Sequence, residues 1–124
     1  MTLHEAIEQV DTLKPNGFSR EEKIGWLSDV DRTIFREIHA THGNPATETF
    51  SGYDGETDMD TEMLAEPPYD ILYRWYLESQ IDLYNMEMDK YNNSAALYNS
   101  AYAAYRNAYN RSHMPVQRVE RFRI

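Results

Sequence analysis

Apolar side chains recur at steps of three and four residues over residues 77–109, the spacing that places them along one side of a helix. The pattern keeps heptad register throughout, at Leu77, Ile81, Tyr84, Met88, Tyr91, Ala95, Tyr98, Tyr102, Tyr105 and Tyr109. At about 1.5 Å per residue this seam is roughly 50 Å long. We therefore predict one long C-terminal helix from Tyr69 to about Ser112. It is either straight or kinked near 92–94, where three polar side chains compete for backbone hydrogen bonds.

Tyrosine occupies most of the later seam positions, where a coiled coil would carry leucine. A tyrosine buries a large ring and keeps a hydroxyl that needs water or a polar partner, a property typical of contact surfaces. The seam is therefore either a hydrated bundle core or a subunit interface. The candidate interface residues are the seam tyrosines and four residues near the C-terminus: Tyr84, Tyr91, Tyr98, Tyr102, Tyr105, Tyr109, Arg118, Arg121, Phe122 and Arg123.

The first forty residues predict a helical hairpin. Capping boxes at Thr2–Glu5 and Ser19–Glu22 predict helices over about 2–13 and 20–42, separated by the turn-forming residues 14–17. Apolar residues at helical spacing give each helix a buried side: Leu3, Ile7, Val10, Ile24, Leu27, Val30, Ile34 and Ile38. We expect this hairpin to pack on the long helix, in a mainly all-α fold of one domain, residues 1–124.

Residues 43–68 differ from their surroundings, because they are rich in glycine, proline and carboxylates and contain no lysine or arginine. An Asp54-Gly55 pair favours a turn, and apolar and acidic residues alternate over 58–63 with the period of a strand. The pattern predicts an inserted acidic loop or a small β-hairpin that projects from the helices. Connections of this length inside a small domain are usually functional or disordered.

The net charge of −9 is unevenly distributed, because the C-terminal tail at 114–124 is basic and the body is acidic. An acidic body argues against DNA binding by phosphate neutralisation. The tail either docks on an acidic neighbour, including a second copy of the chain, or is a solvated terminus. No apolar run is long enough to span a membrane, and no signal peptide precedes the first helix, so we expect an intracellular protein.

Two groups of side chains have the composition of metal ligands. Alternating carboxylates suit Ca²⁺ or Mg²⁺ but lack the EF-hand order, which favours a solvated loop; they are Asp54, Glu56, Asp58, Asp60 and Glu62. His39 and His42 lack a third zinc ligand in sequence, and charge at a helix C-terminus explains them. We expect the carboxylates beside the seam to be solvated; they are Glu78, Asp82, Glu87 and Asp89. With no cysteine, phosphate loop or nucleophile motif, we predict no enzyme, no metal and no cofactor.

Five segments, in this order, resemble small proteins encoded in the structural gene modules of tailed phages and prophages of Gram-positive bacteria. They are 10–16 (VDTLKPN), 22–28 (EKIGWLS), 66–73 (EPPYDILY), 91–99 (YNNSAALYN) and 109–115 (YNRSHMP). We associate these proteins with the head–tail connector (adaptor) family. The resemblance covers most of the chain apart from the acidic segment around 43–63, and none of its motifs is catalytic.

The resemblance implies a helical structural protein of the virion neck, assembled in the bacterial cytoplasm. It would form a ring under the portal protein, extend the DNA channel without sequence-specific binding, and dock the next neck or tail component. Its contact regions would be the long helix, the inserted loop and the tail. An alternative is a small helical adaptor that binds one host or phage protein as a monomer or dimer. A metal-dependent enzyme using the acidic loop is a third, weaker hypothesis.

Overall fold

A computed structural model of the chain describes residues 1–41 and 49–113, which form four α-helices and one short π-helix. They are α1 (Leu3–Leu13), α2 (Arg20–Ile34), the π-helix (Phe35–His39), α3 (Ile71–Tyr84) and α4 (Met88–Ser112). The described residues contain no strand, only an isolated bridge between Thr2 and Glu62. The prediction of a mainly all-α fold is confirmed. In its described part the inserted segment is a loop. The basic tail at 114–124 lies outside the described residues.

Both N-terminal helices begin at the capping boxes that the sequence predicts. The Thr2 hydroxyl accepts from Glu5 N at 3.1 Å, and the Glu5 carboxylate accepts from Thr2 N at 2.9 Å. Ser19 and Glu22 repeat the arrangement at the start of α2. Each box satisfies backbone donors that a helix start otherwise leaves unpaired.

The helices pack as neighbours in an alternating up-and-down order. Lys14 at the end of α1 meets Asp82 near the end of α3, so these two helices run parallel. Trp26 early in α2 stacks on Tyr84 at the end of α3, so α2 and α3 run antiparallel. Every apolar position predicted for the hairpin is buried. The largest fully buried apolar side chains of the shared core are Tyr73, Leu3, Ile24, Leu27, Ile34, Ile38, Leu72, Leu77, Ile81, Val10 and Val30.

The prediction of one continuous C-terminal helix is wrong, because the chain reverses between α3 and α4. Asn85 and Met86 end α3, Met86 adopts a positive φ of 59°, and Glu87 N donates to Asp82 O at 2.9 Å. The two helices then run side by side as an antiparallel pair. Residues 92–94, the predicted weak point, lie inside α4. The seam thus belongs to two helices that face each other.

Residues 49–65 of the inserted segment lie across the helices, contrary to the prediction that the segment projects; we call them the strap. Three of its side chains enter the core: Tyr53, Met63 and Ala65. Its backbone also pairs with the start of α1, because Leu3 N donates to Thr61 O at 3.2 Å and His4 N donates to Met59 O at 3.0 Å. The acidic and apolar alternation therefore reflects a loop with one side on the core.

Candidate interaction surfaces

The seam tyrosines of α4 contact rings on α3 and on the segment before it. The Tyr98 ring packs edge-on against Tyr76 with centroids 5.0 Å apart, and Tyr105 lies 6.1 Å from Tyr69. Tyr105 is almost fully buried, whereas Tyr91 and Tyr98 are partly exposed. These contacts are those of a bundle core built from tyrosine, the first of the two interpretations of the seam. The predicted partner interface at these residues stays a prediction.

The seam hydroxyls bind polar groups of the π-helix. Tyr102 donates to the Glu37 carboxylate at 2.6 Å, and the Tyr105 hydroxyl lies 2.7 Å from His39 Nε2. Burial raises the pKa of Tyr102 and Tyr105 well above the ordinary value, so both hydroxyls stay protonated. The His39 ring also stacks on Tyr109. The π-helix thus supplies the polar partners that a tyrosine core needs.

Two of the carboxylates considered as metal ligands, Asp54 and Asp58, act as turn-forming groups. Asp54 Oδ1 accepts from Glu56 N, and Asp58 Oδ1 accepts from Asp60 N, both at 2.9 Å. Among the described residues, no group of three or more histidines, cysteines or carboxylates could hold a metal ion. His42 lies outside the described residues, as do the predicted interface residues Arg118, Arg121, Phe122 and Arg123.

A buried carboxylate, Asp31, anchors the strap, and it was not among the residues predicted from the sequence. Its oxygens accept hydrogen bonds from the Tyr53 and Tyr73 hydroxyls, both at 2.5 Å, and from Leu64 N at 3.0 Å. Burial raises the pKa of Asp31, and the three donors oppose that shift. Asp31 directly follows the core residue Val30 on α2. This position on the helix was the sequence signal that indicated burial. The carboxylate thus joins α2, α3 and the strap.

A second buried carboxylate joins three helices, and the expectation that Asp82 is solvated is wrong. Asp82 is 2% exposed. It binds Lys14 Nζ at 2.5 Å and accepts from the Ser94 hydroxyl at 2.9 Å. Glu78 is also nearly buried and pairs with Arg74 Nε at 2.7 Å. These contacts hold the start of α4 against α1 and α3, and they explain why residues 92–94 remain helical.

The turn between α3 and α4 exposes three large apolar side chains, and we call it the knob. Tyr84 is 59% exposed, Met86 82% and Met88 50%. Leu13, at the same end of the bundle, is also exposed. Exposed apolar side chains grouped at one place mark interaction sites more often than isolated ones do. Tyr84 was among the predicted interface residues, whereas Met86 was missed because the turn carries neither glycine nor proline.

A groove of about 390 Å³ lies at the opposite end of the bundle, near the end of α4. Its lining residues are Glu66, Tyr69, Tyr105, Ala108, Tyr109, Arg111 and Ser112. The groove combines tyrosine rings with one acidic and one basic side chain. Such a lining suits a protein side chain with apolar and charged parts.

None of the helices in the described ranges is long and apolar enough to cross a membrane. The surfaces that the structure does present, a knob, a tyrosine groove and exposed carboxylates, are suited to contacts with other macromolecules. Comparison with models of known protein families, with curated proteins and with solved structures found no match to this chain.

Proposed function

We propose that this chain is a head–tail connector (adaptor) protein of a tailed phage or prophage. In this role it assembles as a ring beneath the portal protein, extends the DNA channel and docks the next neck or tail component. The observation that carries the proposal is the ordered resemblance of five segments, which span most of the chain. The structural role requires no catalytic residue. We place the protein in the virion neck after assembly in the bacterial cytoplasm.

The charge distribution supports a channel role. The chain carries a net charge of −9, and the strap presents exposed carboxylates at Asp54, Glu56, Asp58 and Asp60. Carboxylates repel DNA phosphates, so a channel lined by them lets DNA slide without sticking. Exposed acidic side chains of this kind do not form the phosphate contacts on which DNA binding depends.

The placement of the exposed surfaces also supports a ring. A cyclic assembly needs two different surfaces that fit each other, one on each side of the subunit. The knob and the groove are two such surfaces, and they lie at opposite ends of the bundle. The helical core is complete without a partner, which leaves these surfaces available for assembly.

A second candidate is a small helical adaptor that binds one host or phage protein as a monomer or dimer. One observation favours it: the seam tyrosines pack within the chain, with Tyr105 only 2% exposed. A chain whose tyrosine seam is satisfied internally needs no second copy in order to fold. The two candidates differ in stoichiometry and in their affinity for a portal ring.

The test is size-exclusion chromatography coupled to light scattering, on the chain alone and mixed with its cognate portal ring. The connector proposal predicts a mass step of several copies per portal ring, in a stoichiometry that matches a closed assembly. A chain that stays monomeric or dimeric and does not bind the portal would contradict the proposal and favour the adaptor. A charge-matched helical protein of similar size serves as the control for nonspecific adsorption to the portal.

A further inference from the structure

Met86 combines an unfavourable backbone conformation with an exposed side chain. Its φ of 59° lies in the left-handed region, which glycine or asparagine adopts at lower cost. Its side chain is 82% exposed, so it adds little to the core. A residue that strains the backbone and whose side chain does not pack in the core points to a contact outside its own fold. Tyr84 and Met88 flank it and complete the knob.

The groove has the chemistry to receive a methionine. Thioether sulfur makes favourable contacts with aromatic rings, and rings from Tyr69, Tyr105 and Tyr109 line the groove. From Met88 to Tyr105 the chain rises about 25 Å along α4, so the knob cannot reach the groove of its own chain. A knob that fills the groove must therefore come from another molecule.

The charges around the two surfaces are complementary. Glu87 lies within the knob, Asp89 directly follows it, and the groove carries Arg111. Within the described ranges, Arg111 has no carboxylate within ion-pair distance. Lys90 on the knob side is the counterpart of Glu66 in the groove, although in the free chain it pairs with Glu87 at 2.6 Å. Opposite charges on both sides of a contact fix its register and exclude other partners.

We propose that the knob of one copy inserts into the groove of a second copy in a head-to-tail contact. This inference rests on the proposed ring assembly and gives it a specific contact. Because the two surfaces differ, a bound pair keeps one knob and one groove free. The assembly therefore grows, and it ends as a ring where the rotation between copies closes. Three side chains bury little area, so a single contact between two copies is weak. Such a contact persists when ring closure or binding to a template holds many copies together.

Site-specific cross-linking tests the contact directly. The chain has no cysteine, so Met86→Cys provides one thiol for a benzophenone maleimide. A mixture of isotopically labelled and unlabelled copies separates links between copies from links within one. The expected link joins position 86 of one copy to the tryptic peptide 107–111 of another. Links between two knobs, which indicate a symmetric dimer, links to α1, or no link between copies would overturn the inference.

The cross-linking is performed with and without the portal ring, which separates this inference from the proposed function. A chain that binds the portal in many copies but lacks the 86 to 107–111 link overturns the contact and leaves the connector proposal intact. A chain that shows the link but ignores the portal supports the contact and contradicts the connector proposal. If the free chain stays monomeric, the link is sought on the portal-bound copies, and its absence there overturns the contact.

Paired variants separate an interface role from a structural one. Met86→Gly relieves the positive φ, so we expect stability equal to or above wild type and association at least about tenfold weaker. Ala108→Trp fills the groove and should weaken association equally, whereas Ala96→Trp on the exposed face of α4 is the matched control. Mixing Met86→Gly with Ala108→Trp should give heterodimers that do not grow. A less stable Met86→Gly, or wild-type assembly by both variants, would overturn the inference.

Discussion

Tyr73→Phe tests how strongly the buried carboxylate holds the strap on the helices. The Tyr73 hydroxyl donates to Asp31 Oδ1 at 2.5 Å and accepts from Ala65 N at 2.8 Å. The Tyr73 ring itself is fully buried in the core. Phenylalanine keeps the ring and its packing but removes both hydrogen bonds. The variant therefore measures the polar anchor separately from the apolar core.

The expected loss follows from these two hydrogen bonds. A hydrogen bond to a charged group contributes about 1.5–3 kcal/mol, and a buried donor left unpaired costs about 1–3 kcal/mol. Ala65 N would be such a donor, because Ala65 is fully buried. Losing one donor also makes protonation of Asp31 easier, which offsets part of the loss. We expect the free energy of unfolding to fall by about 3 kcal/mol.

Urea denaturation followed by tryptophan fluorescence measures the loss, because Trp26 lies on α2 and Trp75 on α3. Tyr76→Phe is the matched control: its ring is half-buried against Tyr98, and no described residue accepts a hydrogen bond from its hydroxyl. The control should change the free energy of unfolding by less than about 0.5 kcal/mol. A loss in Tyr73→Phe below about 1 kcal/mol, or one equal to the control, would refute the anchor.

Three further predictions use the same assay. Gly52→Ala should cost about 2–3 kcal/mol, because Gly52 has φ 93° and a Cβ there would clash with the Ser28 hydroxyl and the Arg32 side chain. Its control is Gly25→Ala, which has open space around it and should instead stabilise α2 by up to about 1 kcal/mol. Burial raises the pKa of Asp31 above 3.8, so the folded protein retains a proton that the unfolded chain releases. The stability of wild type relative to Asp31→Asn should therefore fall as the pH rises through the raised pKa. A difference that does not change with pH would contradict this. Ser94→Ala should cost about 1.5–2 kcal/mol by removing a donor to buried Asp82, and a loss below about 0.5 kcal/mol would count against that contact.

The sequence predicted the N-terminal half of the fold because its signals are local. A capping box requires two residues three apart, and it sets the start of a helix whatever lies around it. The helical spacing of apolar residues then identified the buried side of α1 and α2 correctly. The same signals give helix direction but not the order in which helices pack, which depends on distant contacts.

The break between α3 and α4 was missed because competing local signals pointed elsewhere. Residues 85–87 contain no glycine or proline, and the four-residue step from Tyr84 to Met88 keeps the heptad register across the turn. Residues 92–94 have lower helix propensity. Yet Ser94 is stabilised inside α4 by Asp82 from a different helix. A tertiary contact of this kind outweighs a propensity difference of a few tenths of a kcal/mol.

The candidate surfaces were only partly predictable for a related reason. The tyrosine seam was visible as a pattern, but pattern alone does not distinguish a seam that packs within the chain from one that faces a partner. Asp31 and Asp82 are carboxylates, a residue type that is almost never fully buried unless it is paired. Their burial follows from partners far away along the chain, Tyr53 and Tyr73 for the first and Lys14 for the second. Such pairings become visible only in three dimensions.

The pairing of the strap with the start of α1 changes how that helix start exchanges its amide protons. The first amides of a helix normally lack intrahelical acceptors and exchange rapidly with solvent deuterons. Here Leu3 N and His4 N donate to strap carbonyls, so their exchange is limited by how often the strap lifts. The exchange rates of these two amides therefore report how often the strap opens, and they are measured at the N-terminus without an attached probe.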